Sequence, residues 1–454
     1  MPDKITYTAN QSENAAEIFA CVKKRSTSTR QPLPFLLEKE ISPLDIREWL
    51  KVSGRGDKFY FRTRDNRIEI GAYKMAFSGS SDKADEILKL SPQDNLLFLY
   101  ASRFSDSANS DDIWDGFPEE MCFVPEIMIR RQDNKYLMHY CLAVDSRTDS
   151  AELNKFERIF KDLSMRQKSS HSDYIPNLER IWYLPEKNAW NTIISKCINA
   201  IDAGDLKKIV ITRRIDYRTT SPINPFDLLD SLDGSHKNNY AMLYQNDKGK
   251  SFISVSPERL YRRQNKNISV DALSSTVKRG ETEEDDGKLE ALLFNDAKLQ
   301  REHKAVIDGV EKSLSLVCAG QVKKHSPMVL KLSGIQHLLA RITGHLKDDV
   351  GDRKIIDTLH PTPAVGGTPR QAAVDMISQL EPFDRGWYAG PIGYWGKNES
   401  EIMVGIRSMV IDEKGMHAFV GSGIVKGSHS DDEWQETESK NVISSLIART
   451  DIKI

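Results

Sequence analysis

Short runs in which hydrophobic and polar residues alternate occur through the first third of the chain, and this pattern predicts half-buried β-strands. The clearest runs are 59–64, 67–73, 96–104 and 136–144, and Asp, Asn and Gly break them up. We therefore predict a mixed α/β part over residues 1–165. The stretch 166–178 is polar and serine-rich and contains Pro176, so it is predicted to be a mobile loop or linker.

Helical and strand-like patterns follow one another in blocks from residue 179 onward. Apolar residues have helical spacing over 190–201, 289–317 and 431–449. Strand-like runs lie at 207–214, 240–244, 252–256, 401–411 and 416–425. Because strands come in adjacent runs with helices between the runs, we predict an α+β fold with antiparallel sheets, in which residues 179–454 form the second part.

Charge and cysteine content exclude several classes of partner. The 454 residues include 64 basic and 66 acidic ones, and this balance argues against a nucleic acid or an anionic membrane surface as the main partner. No apolar run reaches the length of about 18 residues that suggests a membrane-spanning helix. The five cysteines are scattered without a C-x-x-C pair, so we expect no disulfide framework, no zinc site and a cytoplasmic location.

An acidic cluster follows a glycine-rich stretch near the C-terminus, in the sequence G-S-G-I-V-K-G-S-H-S-D-D-E-W-Q-E-T-E-S-K (421–440). On a helix, Glu433, Glu436 and Lys440 share one face. Glu433 has a structural alternative, because Ser430 and Glu433 have the spacing of a capping box. Glu436 lies past the first turn and needs another partner. Two glutamates one turn apart, with a lysine beyond them, can hold a hard divalent cation and an anion side by side.

A further carboxylate, Glu302, lies on or beside the apolar face of the helix predicted over 289–317. Burying it is costly unless it is paired. An ion pair with Arg301, Lys304 or a neighbouring strand is one explanation. The other is that Glu302 and Glu436 face each other across Mg²⁺, since carboxylates without imidazole or thiolate ligands favour Mg²⁺ over zinc.

Two stretches rich in Pro and Gly, 359–370 and 383–395, predict rigid loops that let backbone N–H groups approach a ligand. Neither stretch matches the glycine patterns that bind nucleotides, so a nucleotide site is not expected. His303, His360 and His417 do not have the spacing of metal ligands, and no G-x-S-x-G sequence is present.

Eight motifs in order resemble those of the chorismate-utilising enzymes, a family that includes isochorismate, salicylate, anthranilate and aminodeoxychorismate synthases. The motifs are K-I-V-I-T-R (208–213), S-P-E-R-L (256–260), L-S-S-T-V-K-R-G (273–280), R-E-H-K-A-V (301–306), L-H-P-T-P-A-V-G-G (359–367), F-D-R-G-W-Y-A-G-P-I-G (383–393), S-E-I-M-V-G-I-R-S (400–408) and G-S-G-I-V-K-G-S…E-W-Q-E-T-E-S-K (421–440). The resemblance implies two large antiparallel β-sheets packed together with helices outside, and chorismate as the substrate of the part 179–454. It also implies Mg²⁺ as the cofactor and a chain that acts as a monomer.

The branch that the chain resembles most is isochorismate synthase, which has a lysine where Lys208 stands, whereas anthranilate synthases have a different residue. The implied reaction adds water at C2 of chorismate while the C4 hydroxyl leaves, with Lys208 as the base and Glu258 as the acid. The resemblance further implies that Glu302 and Glu436 ligate Mg²⁺ and that Glu433 supports the ion through water.

The same resemblance assigns residues to the substrate. The implied substrate-binding residues are Arg407 and Tyr388 at the enolpyruvyl carboxylate, Lys440, Thr276 and the backbone at Gly421 and Gly423 in an anion pocket, and His360 near the ring. The family usually has glycine before this threonine, where the chain has Ser275.

Two alternatives to isochorismate synthase share nearly all of these residues. A salicylate synthase would continue from isochorismate by expelling pyruvate, and a non-catalytic chorismate-binding protein would keep the fold without turnover. The sequence does not choose between a menaquinone and a siderophore pathway.

Overall fold

The computed structural model of the protein describes residues 11–29, 31–105, 111–149, 178–219, 221–235, 238–331, 334–441 and 443. Of the predicted linker 166–178, only Leu178 is described, and it begins a strand; the rest lies outside the described residues. No helix in the described part combines the length and the hydropathy that crossing a membrane requires.

The helices are labelled in chain order. They are α1 Gln11–Thr29, α2 Ile46–Val52, α3 Ser81–Leu90, α4 Lys187–Ala203, α5 Pro225–Ser235, α6 Glu283–Asn295, α7 Ala297–Val317, α8 Asp352–Leu359, α9 Arg370–Leu380 and α10 Ser430–Lys440.

The strands are labelled in the same way. They are β1 Leu33–Ile41, β2 Lys58–Arg62, β3 Ile68–Ser78, β4 Leu97–Ser102, β5 Glu120–Gln132, β6 Lys135–Val144, β7 Leu178–Leu184, β8 Lys208–Thr219, β9 Tyr240–Gln245, β10 Ser251–Ser256, β11 Arg259–Gln264, β12 Asn267–Lys278, β13 Lys323–Lys324, β14 Met328–Lys331, β15 Ile335–His345, β16 Gly367–Thr368, β17 Pro391–Gly396, β18 Glu399–Val404, β19 Ser408–Asp412 and β20 Gly415–Ile424.

All pairs between these strands are antiparallel, and they form two arms that meet at β5. The first arm runs β1, β6, β5, β3, β2, β9, β10, β19, β20, β8, with β7 and β16 also paired to β8. The second runs β5, β4, β17, β18, β11, β12, β15, with β13 and β14 also paired to β15. The α+β class with antiparallel sheets is confirmed, and β5 connects the two arms.

The chain crosses between the arms at two tight connections. Pro257 and Glu258 join β10 of the first arm to β11 of the second, and 405–407 joins β18 of the second arm to β19 of the first. The strand predicted over 401–411 is therefore two strands, one in each arm. These two crossings place Glu258 and Arg407 between the two arms.

The helix predicted over 289–317 is also wrong as a single element. It is divided into α6 and α7 at Asp296, whose side chain accepts hydrogen bonds from the backbone N–H groups of Lys298 and Leu299 and so caps α7. The helix predicted over 431–449 is described as α10 up to Lys440, and nearly all of its remainder lies outside the described residues.

The division of the chain at 165 and 179 stays a prediction. Strand pairs cross it, because β2 pairs with β9 and β4 pairs with β17.

Candidate active site

A cavity of about 90 Å³ lies between β8 and β20 of the first arm and β12 and β15 of the second, and it brings together nine of the twelve residues that the sequence singled out. These nine are Lys208, Glu258, Thr276, Glu302, Tyr388, Arg407, Gly421, Gly423 and Lys440. Glu433, Glu436 and His360 do not line it. The roles of all twelve residues stay predictions, whereas their positions are now defined.

Lys208 enters the cavity from the first residue of β8. Ile209 and Ile211 are fully buried in the hydrophobic core, so the two-residue period of the strand turns Lys208 and Val210 towards the cavity. The side chain of Lys208 is 1% exposed, and its Nζ donates a hydrogen bond of 3.0 Å to Oε1 of Glu302. The neighbouring Lys207 is exposed.

Glu302 reaches Lys208 from α7, so the ion pair with a neighbouring strand that we considered is present. Burial alone would raise the pKa of Glu302, but the charge and the hydrogen bond of Lys208, together with Lys440, hold it below its usual value. Glu302 is therefore an ionised carboxylate on the cavity wall.

Ser275 has a left-handed backbone with a φ of 56°, at an irregularity in the pairing of β12 with β15. Glycine adopts this conformation without strain, which explains why it is usual there. In this chain the Oγ of Ser275 donates a hydrogen bond of 2.7 Å to the backbone carbonyl of Leu299, one turn before Glu302 on α7.

Glu258 lies in the first crossing and is 4% exposed. Its burial raises its pKa to about 7, although the positive charges of Lys208 and Lys440 act in the opposite direction. The next residue, Arg259, forms its ion pair with Asp271 at 3.0 Å. Glu258 can thus hold a proton near neutral pH.

The acidic cluster of α10 faces Glu302, and lysines neutralise it. Glu433 is buried and accepts hydrogen bonds from Lys298 at 2.8 Å and from Ser422 at 2.5 Å. The cap of α10 is His429 and makes no side-chain cap hydrogen bond, so the capping role considered for Glu433 is wrong. Glu436 accepts a hydrogen bond of 2.5 Å from Lys440.

These carboxylates are oxygen ligands of the kind that Mg²⁺ prefers, but they are not arranged as a complete coordination site. Burial and the negative charges of Glu433 and Glu302 raise the pKa of Glu436, against the effect of Lys440. Mutual repulsion of this kind favours a cation between the carboxylates, and hard oxygen ligands suit Mg²⁺. Within the described residues, however, no three acidic, histidine or cysteine side chains are already arranged to hold a metal ion.

Arg407 is a buried cation on the cavity wall. No carboxylate of the described residues pairs with it; its Nη2 instead donates a hydrogen bond of 3.1 Å to Nε2 of His337. Burial lowers the pKa of Arg407 to about 10, so the guanidinium stays charged at neutral pH. A buried cation without an anion is costly, and an anionic ligand would remove this cost.

His337 is a cavity residue that the sequence analysis did not find. Burial, reinforced by the charges of Arg407 and Lys440, holds its pKa well below the usual value, so the imidazole is neutral. Since Nε2 accepts from Arg407, Nδ1 carries the hydrogen and donates to Oγ1 of Thr276 at 2.9 Å. The hydroxyl hydrogen of Thr276 is then left to donate to a ligand.

His360 does not line the cavity, and its role near the substrate ring stays a prediction. It follows α8, and its Nε2 lies 3.0 Å from the backbone carbonyl oxygen of Phe104, whose ring its imidazole meets edge-on. The histidine that lines the cavity is His337, on β15 directly opposite Thr276. Only the strand register brings these two residues together, and the register could not be obtained from the spacing along the chain.

Tyr388 and two glycines of β20 complete the cavity wall. The ring of Tyr388 stacks on Phe419 with centroids 5.3 Å apart. A Cβ at Gly421 would lie 2.8 Å from the hydroxyl of Tyr388. A Cβ at Gly423 would lie 3.0 Å from both Oε1 of Glu302 and Cε of Lys208. Both glycines therefore let these side chains lie close to the backbone of β20, and a larger residue would displace them.

Replacing Gly423 with alanine is expected to lower turnover by about tenfold to a hundredfold, because the new methyl group pushes Lys208 and Glu302 apart. Steady-state kinetics and thermal melting are the measurements. Gly287→Ala is the control, since a Cβ there meets nothing within 4 Å. Unchanged kinetics in Gly423→Ala would show that the spacing of this pair does not matter.

Residues 20–444 match the family model described as chorismate binding enzyme. The chain belongs to this family. Among curated members, it is 28% identical over 415 residues to the isochorismate synthase MenF of Escherichia coli, with 90% of this chain and 91% of that protein covered. It is 34% identical over 279 residues to the chloroplastic isochorismate synthase of Catharanthus roseus; this match covers 61% of the chain but spans about half (47%) of the plant protein.

A solved structure of the family has the same fold. The menaquinone-specific isochorismate synthase MenF of Escherichia coli superposes with a TM-score of 0.81 at 25% sequence identity, covering 96% of this chain and all of the other. The predicted family and the predicted enzyme class agree with these relatives.

Proposed function

We propose that the protein is an isochorismate synthase, which converts chorismate to isochorismate. The observation that carries the proposal is the buried Arg407, which has no carboxylate partner in the described part of the chain and shares one cavity with Lys208 and Glu258. A guanidinium suits a bidentate grip on a carboxylate, and chorismate carries two carboxylates. The relatives named as isochorismate synthases support the proposal.

The two carboxylates of chorismate would bind at opposite sides of the cavity. Arg407, the hydroxyl of Thr276 and Tyr388 would hold the enolpyruvyl carboxylate. Lys440, whose Nζ lies 3.3 Å from the backbone carbonyl oxygen of Gly421, would stand beside the ring carboxylate. This binding fixes the ring between Lys208 and Glu258, so that reaction needs little further ordering.

Lys208 would take a proton from the water that adds at C2. Its ion pair with Glu302 has to open first, because a carboxylate at 3.0 Å stabilises the ammonium form. Once the pair is open, the buried amine faces the cavity without a carboxylate at hydrogen-bond distance. Residues on β8 and α7 thereby control when the base becomes available.

Glu258 would give a proton to the C4 hydroxyl, which leaves as water. One water molecule enters and one leaves, so the net reaction is an isomerisation. The raised pKa of Glu258 keeps a useful fraction of the acid protonated at neutral pH.

We also propose that Mg²⁺ binds at Glu302 and Glu436, with Glu433 beside them. The ion would supply positive charge to the ring carboxylate of the substrate. With the ion bound, Glu302 would release Lys208 and Glu436 would release Lys440, because each lysine now neutralises one of these carboxylates.

Incubation of the purified protein with chorismate, with and without Mg²⁺, tests the proposal. We expect a Mg²⁺-dependent isomer of chorismate on chromatography and no pyruvate. Salicylate with an equal amount of pyruvate would instead identify a salicylate synthase. Binding of chorismate without any turnover would make the chain a non-catalytic binding protein. The MenF relative of Escherichia coli is described as menaquinone-specific, so we propose that the product of this enzyme is used for menaquinone synthesis.

The pH dependence of kcat/KM is expected to have a falling limb above about pH 7, because Glu258 must be protonated to act as the acid. The slope should reach one logarithmic unit per pH unit. The bound substrate adds negative charge and raises the pKa further, so the limb in kcat should lie at higher pH. The Glu258→Gln variant should lose most of its activity, and the falling limb should disappear from both its kcat/KM profile and its kcat profile. A falling limb that persists in this variant belongs to another group.

A further inference from the structure

A polar groove of about 540 Å³ lies on the outer face of the second arm, and it shares no residue with the catalytic cavity. Strand register places one row of side chains across it, in the order Arg262, Ser269, Thr343, Lys323. Gln264, Asn267 and His345 form a second row two residues further along. Among the alternate residues of these strands, Ile268 and Ile342 belong to the hydrophobic core.

Positive charge dominates this groove. Its lining includes Arg259, Arg262, Lys323 and Arg341, and no acidic side chain of the described residues lines it. The neighbouring carboxylates are too few to neutralise these cations. A single carboxylate, that of Asp271, pairs with Arg64, Arg259 and Arg341. Arg262 approaches Glu401 at 3.5 Å and Asp65 at 3.7 Å. Five cations thus face three carboxylates, and the groove has two positive charges in excess.

Two donors in the groove have no acceptor of their own. The Nε–H of Arg259 is buried and has no hydrogen-bond partner among the described residues. Lys323 is exposed and forms no ion pair with a described carboxylate. Around them lie hydroxyl and amide groups that also donate hydrogen bonds. Lys323, which lacks a carboxylate partner in the described part of the chain, lies beside three arginines that share Asp271, and this indicates a place for an anion.

We propose that this groove binds a small dianion bearing carboxylate or phosphate groups, at a site separate from the catalytic cavity. The volume lies in the range of small-molecule sites. The guanidinium groups of Arg262 and Arg341 offer forked donors that match either group, and Lys323 adds a point charge. Arg259 directly follows Glu258, so the bound anion lies behind the segment that carries this catalytic residue.

Calorimetric titration of the full chain tests the proposal, with inorganic phosphate in one arm and citrate in the other, at constant ionic strength. We expect saturable binding of one of them, and the tighter one identifies a phosphorylated or a carboxylate ligand. Lys323→Gln is expected to weaken binding by about tenfold, and the double variant Lys323→Gln with Arg262→Gln by about a hundredfold.

Lys324→Gln is the matched control, because Lys324 is the next residue, points to the other face and binds Glu311 at 2.9 Å. It should bind the anion as the unchanged chain does. The proposal is overturned if neither anion binds saturably, or if Lys324→Gln weakens binding as much as Lys323→Gln. Full affinity in the double variant would place the anion elsewhere, in the catalytic cavity, and would also overturn it.

Discussion

Replacing Lys208 with alanine is expected to lower the turnover of chorismate by about three orders of magnitude, because it removes the proposed base for the attacking water. The amine is 1% exposed and lies 3.0 Å from Oε1 of Glu302, and a water molecule that filled its place would be a much weaker base. Chorismate should still bind, since Arg407 and Lys440 are unchanged. Product formation and calorimetric binding of chorismate are the two measurements.

Lys207→Ala is the control for this experiment, because Lys207 is the preceding residue, is exposed and points away from the cavity. It should retain wild-type turnover. A Lys208→Ala protein with more than about a tenth of normal activity would remove Lys208 from the role of base. Loss of chorismate binding together with turnover would show that Lys208 holds the substrate instead.

Strand-like runs in the sequence were enough to predict β8 and β20 of the cavity wall, but not β12 and β15. In β8 the two-residue period of a strand places Lys208 and Ile209 on opposite sides. The motifs then predicted the family, which the match over 20–444 confirms. Local patterns succeed here because they are set by the strand period and by burial.

What the sequence could not supply depends on contacts between distant segments. Thr276 and His337 are 61 residues apart and meet only through the register of β12 with β15. Likewise, Lys298 neutralises Glu433 across 135 residues, which is why an explanation by local capping was wrong. The contact of His360 with Phe104 is of the same kind, since Phe104 lies in the first half of the chain.

The tight crossings between the two arms explain why function lies where it does. A residue in a crossing belongs to no strand of either arm. Its side chain can therefore enter the space between the arms without interrupting the hydrogen bonds between strands. Glu258 follows β10, where its backbone carbonyl accepts from Val404. Arg407 precedes β19 in a left-handed conformation with a φ of 49°. The backbone thus fixes the position of the acid Glu258 in one crossing and of the cation Arg407 in the other.

Replacing Glu436 with glutamine is expected to abolish Mg²⁺-dependent turnover, and Glu302→Gln should do the same, because each removes a charged ligand from the proposed ion. Direct binding distinguishes this from a structural defect. Mg²⁺ at about 100 times its dissociation constant should stabilise the wild-type fold by about 2.7 kcal/mol and raise its melting temperature by a few degrees. In both variants this rise should disappear.

Asp432→Asn is the matched control, since Asp432 lies on the same helix, is exposed and loses one negative charge in the same way. Its response to Mg²⁺ should equal that of the wild type. If Glu436→Gln keeps full activity or the full Mg²⁺-induced rise, the ion does not bind at this cluster. The repulsion that raises the pKa of Glu436 would then be relieved only by Lys440, and the acidic face of α10 would serve to hold that lysine beside the substrate.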